Sequence, residues 1–268
     1  MNRRTLYAGF LLGLCAQMHT GCTTRPASTA GPVRQTDSFT IQGREIKVET
    51  FLPKASGRFP AVLVLHGSSG TLVGKGPLVK LCQQLAAQGQ VAILVHYFDR
   101  TGTVWSGDKS IHQHWPVWVE TIRAAVDFAS AHPSVHPDSI GLFGFSLGAY
   151  LAVAEAADDT RVKAVAELAG GLFDRQKPTI THLPHLLILH GRDDERVPVT
   201  QALELAATAR RLGTPHTLKL YDQEGHVLSG KAIADAMSRT LLFFNQHLPL
   251  APQTTSSLTK HTTTKPNH

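Results

Sequence analysis

Cysteine is nearly absent from this chain, with 3 in 268 residues: Cys15, Cys22 and Cys82. The first two stand close to the N-terminus, so Cys82 is alone in the body of the sequence. That excludes a disulfide framework there, and any zinc-type cysteine spacing. Cys82 reads as a small buried hydrophobe on a helix face. Charge is also sparse, at 17% of residues, and aromatics make up only 7%. No run of lysine and arginine with interleaved aromatics occurs, which argues against a nucleic-acid partner. The formal charge of +6 does not revive that reading. Arg3, Arg4, Lys260 and Lys265 sit at the two ends, and setting these four aside leaves only about +2, too little for a basic patch. The uncharged apolar run from Leu6 to Leu14 is too short to favour a spanning helix. No internal repeat is apparent. What remains is 42% hydrophobic and long enough for one sizeable domain.

Residues 1–22 have the layout of a secretory signal: basic Arg3 and Arg4, the apolar run, then small residues. His19-Thr20-Gly21-Cys22 resembles a bacterial lipoprotein signal, in which the cysteine is acylated and becomes the new N-terminus. Lipidation of Cys22 would hold the protein on a membrane surface. Ordinary signal cleavage is the alternative, because His19 stands where an aliphatic residue is usual. Either way the expected place is the bacterial cell envelope. Thr23 follows Cys22 with no aspartate to resemble an inner-membrane retention signal, so a lipidated form is expected at the outer membrane. Residues 23–37, rich in Thr, Pro, Ser, Ala and Gly, read as a flexible tether. Residues 250–268 read as a disordered tail.

Between these ends, at 38–249, strands and helices alternate. Phe39 to Phe51 alternates polar and apolar residues around Gln42-Gly43, as an opening hairpin would. Ala61–Leu65, Val91–Tyr97 and Ile140–Phe145 are short apolar runs typical of strands buried on both faces. Val162–Leu168, Leu186–Leu189 and His216–Tyr221 supply further strands. Helices are expected over Pro77–Gln88, Val117–Ala131, Leu147–Ala156, Thr200–Leu212 and Gly230–His247. This order predicts an α/β fold with a mostly parallel central sheet and helices on both faces. Ligands of such sheets bind beyond the carboxyl ends of the strands.

Ser146 lies at such an end, in Gly144-Phe145-Ser146-Leu147-Gly148, directly between a buried strand and a helix. A G-x-S-x-G segment acquires meaning in that context, where a sharp turn lifts the hydroxyl clear of the sheet. A serine hydroxyl needs a base. His226, after the last strand and beside Gly225, is the candidate. The imidazole in turn needs a carboxylate to fix its tautomer. His190 to Pro198 offers Asp193, Asp194 and Glu195, with Asp194 favoured by its spacing from Gly191 and from Val197-Pro198. The backbone N–H groups of Leu147 and Ser68 are expected to face a developing oxyanion, with Gly67 and Ser69 as alternatives to Ser68. His66 reads as a residue that orders its loop.

Four segments together resemble the dienelactone hydrolase family of α/β-hydrolases: Leu65 to Gly70, Tyr97 to Gly102, Gly144 to Tyr150, and Gly191 to Pro198 with His226. The resemblance spans about Thr40 to His247. It implies an α/β-hydrolase fold and an esterase-like activity. Dienelactone hydrolase itself is similar but uses a cysteine nucleophile and has a glutamate in the first loop. Here those positions hold Ser146 and Gly67 or Ser68, so a different substrate is implied.

The expected reaction is acyl transfer from a small-molecule ester to water through an acyl-enzyme, with no metal or organic cofactor needed. His112 and His114 fall in a loop with no third ligand in view. Trp105, Trp115 and Trp118 either wall the substrate pocket or pack the helix that follows. Arg100 either meets an anionic substrate or pairs with an acid. Two rivals remain: a peptidase of the prolyl-oligopeptidase type, and a non-catalytic envelope binding protein.

Overall fold

The computed structural model describes residues 32–173 and 179–248. The signal segment with Cys22, most of the expected tether and the tail lie outside them. Eight strands form one sheet in the order β1-β2-β4-β3-β5-β6-β7-β8. β1 (Val33–Ile41) and β2 (Arg44–Leu52) form the opening hairpin. Their turn residues Gln42 and Gly43 have φ of 45° and 75°. Positive φ at both central positions is what a two-residue hairpin needs to match strand twist. β1 starts at Val33, inside the stretch assigned to the tether. Its edge position explains the misreading: hydrogen bonding to β2 along Val33↔Leu52 to Ile41↔Arg44 orders a strand with few apolar residues.

β3 (Phe59–Leu65), β4 (Val91–Val95), β5 (Val135–Phe145), β6 (Val162–Leu168), β7 (His185–Gly191) and β8 (His216–Tyr221) run parallel, β1 points the same way, and only β2 is reversed. The apolar runs of β3 and β4 are buried on both faces because helices cover both sides. One face carries α2 (Asp108–Ala131), α3 (Leu147–Asp158) and α4 (Thr200–Arg211). The other carries α1 (Lys75–Ala87) and α5 (Gly230–His247). Cys82 is a free, buried thiol on α1, pushed far up by burial.

α2 begins well before the expected start at Val117. Pro116 lies inside it. A proline costs one helical hydrogen bond and normally marks an end. Here burial of Trp115, Trp118, Ile122, Ala125, Val126 and Ala129 along one stripe holds both halves to the core. His112 and His114 therefore stand on a helix and not in a loop.

Candidate active site

Ser146 caps α3 with φ 54° and ψ −120°. A non-glycine residue pays strain in that region, and the surroundings must impose it. They do so by close approach. A Cβ on Gly144 would lie 2.2 Å from the Gly148 carbonyl oxygen, and one on Gly148 would lie 2.5 Å from the His66 carbonyl oxygen. Only glycine permits this crossing of β5, α3 and the loop after β3. The turn presents the Ser146 hydroxyl at the carboxyl end of the sheet.

Three side chains from three elements meet there. The His226 Nε2 and Ser146 Oγ are 2.9 Å apart, and His226 Nδ1 is 2.8 Å from Asp194 Oδ2. A carboxylate only accepts, so Nδ1 carries the proton and Nε2 is left to accept from the serine hydroxyl. Asp194 is itself fixed. Its Oδ1 accepts the N–H groups of Arg196 at 2.9 Å and Val197 at 2.8 Å. A second histidine, His190, lies fully buried with Nε2 3.3 Å from Asp194 Oδ2 and 2.8 Å from the Val197 carbonyl, to which it donates. Burial keeps His190 below the usual imidazole range, hence neutral. Asp193 and Glu195 point into solvent.

The loop after β3 supplies the opposite wall. Ser68 and Leu147 both line the cavity beside Ser146, which has a volume of about 430 Å³. Leu147 is the first residue of α3, so its N–H has no partner within the helix. His66 is buried, stacks on Tyr97 at 4.1 Å and contacts the Gly67 carbonyl through Nδ1 at 2.9 Å. Burial drops its pKa to about 4, which leaves a neutral residue that orders the loop. The far end of the loop is tied down by Lys75, 2.6 Å from the Glu49 carboxylate.

Three large aromatic side chains stand on the remaining walls. Trp115 stacks on Phe173 at 4.0 Å with an interplanar angle of 12°, and Tyr150 hydrogen-bonds Gln201 at 3.4 Å. Behind Phe173, the strap 169–173 is held by Glu167. This fully buried side chain accepts the Gly170 N–H at 2.8 Å through Oε2.

Two expected substrate contacts are placed elsewhere. Arg100 donates to Gln42 Oε1 at 2.5 Å and lies 3.7 Å from Glu120, beside the hairpin turn and away from the cavity. An acid was available on α2, and the guanidinium pairs with it although its Nε stays buried without a hydrogen-bond partner among the described residues. Trp105 is 64% exposed and does not line the cavity. Of the three tryptophans only Trp115 forms a wall; Trp118 is fully buried and donates to Thr101 Oγ1 at 3.1 Å. Tyr150, Gln201 and Arg196 on the walls were not foreseen. Tyr150 had a legible signal, since it stands four residues after Ser146 on the same helix face.

The model of the dienelactone hydrolase family matches residues 46–248. An uncharacterised protein of Mycobacterium tuberculosis is 27% identical over 248 residues, covering 80% of this chain and 84% of that one. The crystal structure of a dienelactone hydrolase-like promiscuous phosphotriesterase from metagenomic libraries aligns with a TM-score of 0.70 at 17% identity, over 83% of this chain and 100% of that one. A puromycin-hydrolysing peptidase of Mycobacterium tuberculosis aligns with a TM-score of 0.66 at 17% identity, over 83% of this chain and 40% of its own. At such identities these two structures speak to the fold.

Proposed function

This chain belongs to the dienelactone hydrolase family, and on that premise we propose that it is a serine-nucleophile carboxylic ester hydrolase acting through Ser146, His226 and Asp194. The observation that carries the proposal is the unbroken hydrogen-bond line from Ser146 Oγ through His226 to Asp194, ending at the mouth of the cavity. His226 Nε2 takes the hydroxyl proton as Ser146 Oγ attacks the ester carbonyl carbon. The N–H groups of Leu147 and Ser68 face the resulting oxyanion, and the positive end of α3 adds to their field. Asp194 stabilises the imidazolium. His226 then protonates the leaving alkoxide, the C–O bond breaks and an acyl-serine remains. Water, deprotonated by the same imidazole, releases the acid and restores Ser146. The neutral His190 holds the Asp194 turn closed without competing for the proton.

A fluorophosphonate probe tests the class. The wild type is expected to label at Ser146 and turn over short acyl esters, whereas Ser146→Ala does neither. A folded wild type that resists the probe would remove the esterase and leave a binding protein. Turnover of peptide amides in preference to esters would replace it with a peptidase. For residues 1–22 we keep export and acylation of Cys22 as part of the proposal. Labelled palmitate should enter the wild type in bacterial cells and not Cys22→Ala; equal labelling of both removes the lipid anchor.

A further inference from the structure

Eight large hydrophobic residues among the described ones are exposed, and five of them are Leu72, Val73, Val104, Trp105 and Val227, at 56–75% exposure. All five stand on loops at the carboxyl end of the parallel sheet, the end that carries Ser146. Leu72 and Val73 follow the Ser68 segment. Val104 and Trp105 sit on the loop between β4 and α2. Val227 follows His226. The first two loops are one body: the Ser106 N–H donates to the Ser68 carbonyl at 2.8 Å, and Gly70 lies so close to the Val104 carbonyl that a Cβ would meet it at 2.6 Å. Gly67 in turn touches Phe145 and Ser146, and Phe145 touches His226 at 5.3 Å. The apolar residues thus share one rim, at the end of the sheet that carries Ser146 and outside the lining of the cavity. Scattered exposed hydrophobics need no explanation, but a group of them at one end of the sheet does.

We propose that this rim docks on a phospholipid surface and that the site draws acyl esters from it. The proposal rests on the hydrolase reading for its second half only. Three things favour lipid as the occupant. The rim is led by a tryptophan without an aromatic partner among the described residues, and tryptophan suits a boundary with one side apolar and the other wet. Lys109 and Arg196, both exposed, stand beside the rim and in no ion pair among the described residues, so anionic headgroups would meet cations there. The sequence before the sheet also ends in a candidate acyl anchor. Only residues 23–32 separate Cys22 from Val33. Extended, they reach at most roughly 36 Å. β1 itself runs about 30 Å from the far end of the sheet to the rim end. An anchor on that leash can enter the same surface that the rim touches, and a weak second contact converts reversible anchoring into stable docking.

The test uses the chain from Thr23 onward, which retains every described residue and has neither the acyl group nor the signal's apolar run. It is floated with vesicles of phosphatidylcholine alone and of phosphatidylcholine with phosphatidylglycerol. The parent is expected to float, more strongly with the anionic lipid. The triple variant Leu72→Ser, Val73→Ser, Trp105→Ser is expected to lose at least about tenfold in partition coefficient. Its turnover of a short water-soluble ester should be unchanged, which shows that it folds. Equal flotation of parent and variant, or no flotation of the parent, overturns the proposal. So does a parent that forms dimers without lipid and monomers after the triple substitution, since the rim would then serve a second copy. If neither protein turns over the soluble ester while flotation still falls in the variant, the docking surface stands and the hydrolase reading fails.

Discussion

Glu49 on β2 and Glu167 on β6 are both fully buried, and their surroundings drive them in opposite directions. Glu49 is met by Arg34, by Lys75 at 2.6 Å and by His96 at 2.8 Å. Burial alone would raise its pKa, but the hydrogen bonds and charges of Lys75 and His96 outweigh burial and bring it down to about 2. Among the described residues Glu167 has only the Gly170 N–H, and its other oxygen is buried without a partner there. Burial there dominates and the carboxyl is pushed up to about 8. The same side chain is therefore an anion on one side of the sheet and a protonated acid on the other. Depth does not decide the state; the partners do. Each ends on a wall of the cavity: Glu49 holds the loop that carries Ser68, and Glu167 holds the strap that carries Phe173.

The contrast predicts opposite pH slopes, and the larger loss on substitution belongs to Glu49. Its folded-state pKa lies below the ordinary 4.5, so its contribution is fully present above about pH 4.5 and is lost as pH falls toward 2. The gap corresponds to roughly 3 kcal/mol. Glu49→Gln leaves three cationic or polar partners facing a neutral amide. It should cost about 3 kcal/mol in urea unfolding at pH 7. The difference from wild type should shrink at pH 3. A cost that is the same at both pH values would mean that Glu49 acts by packing and not as an anion.

The state of Glu49 was not legible in the sequence, and the reason is distance along the chain. Glu49 meets partners 15 residues before it and 26 and 47 residues after it, and no local pattern joins them. Arg100 was left between two roles for the same reason: its partners Gln42 and Glu120 stand 58 residues before it and 20 after it. Features set by neighbours in sequence were legible. Gln42-Gly43 marked its turn, and the glycines around Ser146 marked the crossing of strand and helix. Asp194 is intermediate. Sequence narrowed the acid to three adjacent residues. The choice came from the turn that follows β7, where the Asp193 N–H bonds the Glu224 carbonyl and the Arg196 and Val197 N–H groups close on Asp194.

The smaller prediction concerns Glu167 and sharpens the comparison from the other side. A raised pKa means that the folded state holds a proton that the unfolded state has released between about pH 4.5 and 8. Stability then falls as pH rises through that window, by up to roughly 1.4 kcal/mol per unit, and levels off above it. Among the described residues no charged group contributes to this shift; burial and the Gly170 N–H are its causes. Glu167→Gln keeps the size of the side chain and its acceptor for Gly170, and cannot ionise. It should change stability by less than about 1 kcal/mol at pH 4, where the carboxyl is neutral in the folded and largely so in the unfolded chain. By pH 9 the variant should be the more stable protein, and its ester turnover should hold where the wild type declines, because an ionised Glu167 would pull against the strap behind Phe173. Urea midpoints for the two proteins at pH 4 and pH 9 read this directly. A gap between them that does not move with pH would mean that Glu167 is ionised at neutral pH after all, and that the two buried glutamates are alike.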